Sequence, residues 1–168
     1  KGKINYILDG GKSKVGIEST VIGFEEGRAT TFRHGYITKE DVEKVIGRTV
    51  YDFDESDGKI SSPGLLKNHY APLTPLYLAE HTFDLKRLID ELDDDKIEGL
   101  SKDTIGIMDF SIYDNFREVS KNLFSDLRQV DEMNYKMIFA SKVKNLKLGR
   151  AINDRLEKAS IGTIKYDG

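Results

Sequence analysis

Ser19 and Thr20, Arg33 and His34, and the turns SSPG (61–64) and HYAP (69–72) are the places in this chain where side chains or shaped backbone could do chemistry. A serine hydroxyl can attack a carbonyl or bind a polar substrate. Ser19 has neither a Gly-x-Ser-x-Gly elbow nor a paired base, so it reads as an ordinary strand residue or as a binding hydroxyl, not as an activated nucleophile. Arg33 offers a fork of donors of the kind suited to phosphate, but read alone it is most often a surface strand residue. His34, His69 and His81 do not stand at metal-ligand spacing, and no metal site built from protein alone is expected. Asp9 before Gly10 and Gly11 reads as turn chemistry.

Composition narrows the class. The chain has 168 residues, 38% hydrophobic and 33% charged, with net charge -3 and no cysteine. It can bury one good core or two small ones and should be a soluble globular protein. Zero cysteine excludes a disulfide scaffold, thiolate catalysis and cysteine-based zinc. With no apolar run of 18 residues and no signal-like start, the expected setting is cytoplasmic, with no membrane partner. Residues 142–158 hold six basic residues against two acidic ones, which reads as a solvated helix face or, alternatively, a surface for RNA or a protein partner.

The elements that must hold these groups fall into two patterns. INYILDGG reads as a strand ending at Gly10 and Gly11, and GIESTVIGF and RATTFRHG as two paired strands about an EEGR turn. Thr38 with Asp41 predicts a capping box, and Gly47 the end of that helix. Three strands and a helix cannot bury both faces of a sheet, so this part is expected to be the tail of a larger domain or to be covered by other segments. Beyond Pro75 the pattern alternates. PLYLAE, TIGIMDF and YKMIFAS read as strands; Leu85, Leu88, Ile89 and Leu92, then Val119, Leu123, Leu127 and Val130, then Ile152, Leu156 and Ala159 mark three helical faces. Strand-helix alternation predicts a small parallel sheet with right-handed crossovers.

Taken in order, YILDGG, VGIESTVIGF, FRHG, SPGLLKNHYAP and LGRAINDRLEKAS resemble the carboxyl-terminal part of the Sua5/YciO/YrdC family. The resemblance implies an α/β fold: the end of a twisted mixed-sheet YrdC-like domain over residues 1–50, a structured linker over 51–73, and a Rossmann-like Sua5 domain with a mainly parallel sheet over 74–168. It also implies that the chain starts within a longer protein, whose threonine-tyrosine motif, Lys-Arg pair and Ser-x-Asn segment would lie upstream.

The activity implied is that of an L-threonylcarbamoyladenylate synthase, a nucleotidyltransferase. Such an enzyme joins L-threonine, bicarbonate or CO2 and ATP, with Mg2+, and supplies the t6A modification of tRNA. By resemblance Ser19, in the Glu18–Val21 motif, binds threonine. Arg33, in the Phe32–Gly35 motif, meets nucleotide phosphates, although His34 stands where proline is usual. Ser62, Pro63, Gly64, His69, Tyr70 and Pro72 form a linker that closes over the pocket, with Leu65 and Leu66 departing from the family pattern. The intact parent is expected to be the enzyme, and the 168 residues alone to be inactive. The alternative is a non-catalytic module that binds a nucleotide, RNA or tRNA-modification proteins.

Overall fold

The computed structural model describes residues 2–11, 13–53, 70–93 and 100–164. Two separate sheets organise them, one mixed and three-stranded, the other four-stranded and all parallel. This is the α/β class expected from the sequence.

The mixed sheet starts with a hairpin of β1 (Val21–Glu25) and β2 (Arg28–Arg33). Its loop is Glu26 and Gly27 at φ 49 and 76; positive φ at both positions matches the right-handed twist of the strands. Helix α1 (Lys39–Ile46) follows, with Thr38 and Asp41 closing the expected capping box and Gly47 in the left-handed region. The short strand β3 (Tyr51–Asp52) then runs parallel to β2. Residues 4–8 do not form the expected strand. Their backbone pairs with no strand among the described residues, and Ile4, Tyr6, Ile7 and Leu8 are exposed; alternating apolar side chains need a neighbouring strand and a covered face to become a strand. Asp9 does make a turn, its Oδ1 accepting from the Gly11 N–H at 2.8 Å.

The parallel sheet has the order β5-β6-β4-β7, with β4 (Leu76–Ala79), β5 (Ile105–Met108), β6 (Met137–Ser141) and β7 (Gly162–Ile164). Helices α2 (Thr82–Asp93), α3 (Phe116–Asp131) and α4 (Leu148–Ala159) connect them. The strands and helices fall where the alternation places them, but β7 is three residues long and carries no readable period.

Two clusters divide the sheet faces. On one face Leu76, Leu78, Ile138 and Ala140 pack against Leu123 and Leu127 of α3 and Ile152 and Leu156 of α4. On the other, Ala79, Ile105 and Phe139 meet Leu85, Leu88 and Leu92 of α2. Ile17, from the segment leading into β1, is buried in the first cluster, so the core of the parallel unit also seats the segment ahead of the hairpin. Among the described residues no helix is long and apolar enough to cross a membrane.

Candidate functional site

The structure brings Ser19 and Arg33 together. Arg33 ends β2 opposite Val21, and a register shift between Val21 and Ile22 re-aims the start of β1. The guanidinium turns back on the motif: Arg33 Nε donates to the Ser19 carbonyl at 3.1 Å and Nη2 to Ser19 Oγ at 3.2 Å. Thr20 Oγ1 donates to the Ile37 carbonyl. Glu18, Ser19 and Thr20, with Ile17, Tyr36 and Ile37, line a cavity of about 490 Å³.

The residue before Ser19 is held from the other side. Arg155 of α4 is 1% exposed, although it carries a full charge. Its Nε donates to Glu18 Oε2 at 2.9 Å, and Nη1 donates to Asp154. The guanidinium also lies over the Tyr70 ring, 5.7 Å from its centroid. Burial works to raise the Glu18 carboxyl, but the Tyr70 hydroxyl, the Glu18 backbone and Arg155 outweigh it and hold the group below the usual range. His34 lies 3.4 Å from Asp52, which also takes Lys39 at 2.8 Å. Burial, helped by Arg150 and Lys39, lowers the His34 pKa against the opposing pull of Asp52 and Asp154.

Of the expected linker residues, Tyr70 and Pro72 are described, whereas Ser62, Pro63, Gly64 and His69 lie outside the described residues. Tyr70 stacks on Phe124 of α3 at 5.2 Å. Just beyond Pro72, the N–H groups of Leu73 and Thr74 donate to the two carboxylate oxygens of Asp131 at 3.0 and 2.8 Å. The connector therefore reaches the parallel sheet clamped to the last turn of α3, with Tyr70 between Phe124 and Arg155.

Sequence reasoning gave no role to Glu18, Asp131 or Arg155. Arg155 had a usable signal: it stands four residues after Ala151 and three after Ile152, on the buried face of α4, where a charge requires a partner. The basic stretch around it is largely neutralised within the fold. Lys142 pairs with Glu80 and Glu157, Arg150 with Glu40, Arg155 with Glu18 and Asp154, and Lys158 with Asp154. Lys144 and Lys147 are exposed.

A titration checks the placement of Tyr70. Burial, and then Glu18 beside it, push the Tyr70 hydroxyl from 10.0 up to about 12. The folded-state pKa is raised, so the stabilisation is complete below the unfolded value of 10.0 and is lost as pH rises through about 12. With eight tyrosines and no tryptophan, tyrosinate absorbance can be followed cleanly. Subtracting the titration of Tyr70→Phe from that of the parent should leave a one-phenol step near pH 12. A difference step near pH 10 would mean that the hydroxyl is open to water and not held against Glu18.

A hairpin and βαβ sheet whose Ser-Thr entry is locked to a parallel α/β unit defines a two-part α/β protein with its polar cluster at the junction of the parts. The family model for the carboxyl-terminal domain of threonylcarbamoyl-AMP synthase matches residues 37–160, and the chain belongs to this Sua5 family. It is 35% identical to threonylcarbamoyl-AMP synthase of Pyrococcus abyssi over 95% of the chain and 50% of that protein, and 32% identical to the Bacillus subtilis enzyme over 97% and 51%. The chain thus spans about half the length of these relatives. The crystal structure of P. abyssi Sua5 complexed with L-threonine superposes with TM-score 0.79 at 31% identity, covering 98% of this chain and 52% of that one. A P. abyssi variant with a histidine-tyrosine pair changed to alanines gives TM-score 0.76 at 29% identity, covering 99% and 53%.

Proposed function

We propose that the chain forms the carboxyl-terminal part of an L-threonylcarbamoyladenylate synthase. In this reaction the carbamate of L-threonine attacks the α-phosphate of ATP and pyrophosphate leaves, giving threonylcarbamoyl-AMP for t6A formation in tRNA. The observation that carries the reading is the paired placement of Ser19 and Arg33: a hydroxyl suited to threonine held by a guanidinium suited to phosphate. Such a pair lets one contact align the amino acid with the nucleotide, which is the positioning the reaction needs. Tyr70 and Pro72, with the remaining linker residues, close the pocket and limit loss of the intermediate to water. The chain's sole His-Tyr dipeptide is His69–Tyr70, and the existence of a His-Tyr variant of the P. abyssi protein supports attention to it.

The proposed division is a YrdC-like tail over 1–50, a linker over 51–73 and a Sua5 domain over 74–168. The gap between the last strand of the mixed sheet, β3 at Tyr51–Asp52, and the first of the parallel sheet at Leu76 supports a connector between two units, with β3 itself lying inside the proposed linker range. Among the described residues no group of three His, Asp or Glu is arranged to hold a metal ion. In this reading Mg2+ arrives with the ATP, whose phosphates supply much of its coordination. The competing RNA-docking reading loses support from the internal pairing of Lys142, Arg150, Arg155 and Lys158.

The test is Arg33→Ala in the full-length protein. Losing a charge-assisted contact worth roughly 1.5 to 3 kcal/mol should weaken ATP use on the order of tenfold to a hundredfold, with Arg33→Lys rescuing only in part because it keeps the charge and loses the fork. Product formation is followed as threonylcarbamoyl-AMP and pyrophosphate. The 168 residues alone should make none. Normal ATP use by Arg33→Ala would return Arg33 to an ordinary surface strand residue.

A further inference from the structure

We infer that Arg155 is a positioning residue for the threonine-binding segment, acting through Glu18, so that the parallel-sheet unit sets the affinity of a site that lies on the other unit. The inference rests on the reading above and gives the second unit a part in it. Arg155 belongs to α4, whose Leu148, Ala151, Ile152, Leu156 and Ala159 are buried in the core, so its backbone is fixed by packing. Its side chain crosses to the amino-terminal segment and meets Glu18, the residue before Ser19. Three further groups constrain the fork: Asp154 accepts from Nη1, the Tyr70 ring lies beneath the guanidinium, and Phe124 backs Tyr70.

Fork geometry matters here more than charge. Nε and Nη1 serve two carboxylates at once while the planar group lies over a ring, an arrangement an ammonium cannot reproduce. Arg155 Nη2 is buried with no acceptor among the described residues. A buried arginine with an unmet donor is a costly choice for a residue that only fills space. Arg33, from β2, holds the Ser19 carbonyl and hydroxyl. Glu18 and Ser19 are thus gripped by two guanidinium groups from two units, and a shift of either moves the hydroxyl.

The experiment uses the full-length protein and three variants, Arg155→Lys, Glu18→Gln and the double substitution. L-threonine binding is measured by calorimetry, the KM for L-threonine and ATP by turnover, and the amide exchange of residues 18–20 by mass spectrometry. Each single variant should raise the dissociation constant and KM for threonine about tenfold, the loss expected for one charge-assisted contact. KM for ATP should move less than about twofold, and exchange at 18–20 should quicken. The double variant should be no worse than the weaker single one, because residues acting through each other are not additive. Independent effects would multiply to about a hundredfold and would overturn the inference, as would equal shifts in both substrates. Should Arg155→Lys fail to fold, Glu18→Gln alone still decides, since unchanged threonine affinity there sinks the proposal. Normal threonine binding in all variants of an active parent removes the inference and leaves the synthase reading intact. A parent that neither binds threonine nor forms product removes both.

Discussion

Gly35→Ala should cost on the order of 3 kcal/mol, the upper part of the range for overpacking, and should remove most threonine binding in the full-length protein. A Cβ at this position would fall 2.3 Å from Thr20 N, 2.5 Å from Ser19 C and 2.6 Å from Glu18 O. All three atoms are backbone, so no rotamer can relieve the clash; the chain from Glu18 to Thr20 must move. That same stretch is pinned by Arg33 and Arg155, and its displacement breaks both grips. Gly10→Ala is the control, because nothing lies within 4 Å of its added carbon, and its effect should stay within about 0.5 kcal/mol. Denaturant midpoints and threonine calorimetry on the pair give the answer. If Gly35→Ala matches Gly10→Ala in both, the close backbone approach does not hold the site.

The sequence made the parallel unit readable because each helix there keeps one apolar face, and because packing follows the same period. Val119, Leu123 and Leu127 are buried on α3 where the spacing puts them, as are Leu85, Leu88 and Leu92 on α2. Capping chemistry was equally local, and Thr38, Asp41 and Gly47 behave as written. What failed was non-local. Whether residues 4–8 form a strand depends on a pairing partner, which β propensity does not supply. β3 and β7 are two and three residues long, too short for any period to show.

The site was legible in part for the same reason. Ser19 and Arg33 could be singled out from their motifs, yet their contact spans 14 residues. The Glu18–Arg155 contact spans 137 residues, and nothing in either string names the other. Only the register of Arg155 on an apolar helix face hinted at a buried partner. Asp131 was hidden similarly, since its carboxylate serves backbone N–H groups of Leu73 and Thr74, which leave no side-chain signature. Contacts of this kind dominate the junction. Arg150 reaches Glu40 at 2.6 Å, Arg117 lies over Tyr36, and an added carbon on Gly16 would be 2.2 Å from Ser120 O.

This junction makes the two faces of the parallel sheet unequal, and that can be measured. Leu123 on α3 and Leu88 on α2 are both buried, at 1% and 4% exposure. Truncation to alanine should cost about 2 to 5 kcal/mol at either position. Leu123, however, shares its cluster with Ile17, whereas Leu88 belongs to the cluster on the opposite face. A cavity beside α3 loosens the floor on which Ile17 sits, one residue before Glu18. A cavity under α2 has the sheet between itself and the site. Leu123→Ala should therefore speed amide exchange at residues 17–20 beyond what its loss of global stability accounts for, and Leu88→Ala should not. Global stability is taken from denaturant unfolding of each variant, so that exchange through complete unfolding can be subtracted. Equal residual exchange in the two variants would show that the segment carrying Ser19 does not depend on the α3 face, and that the site is held by its polar contacts alone.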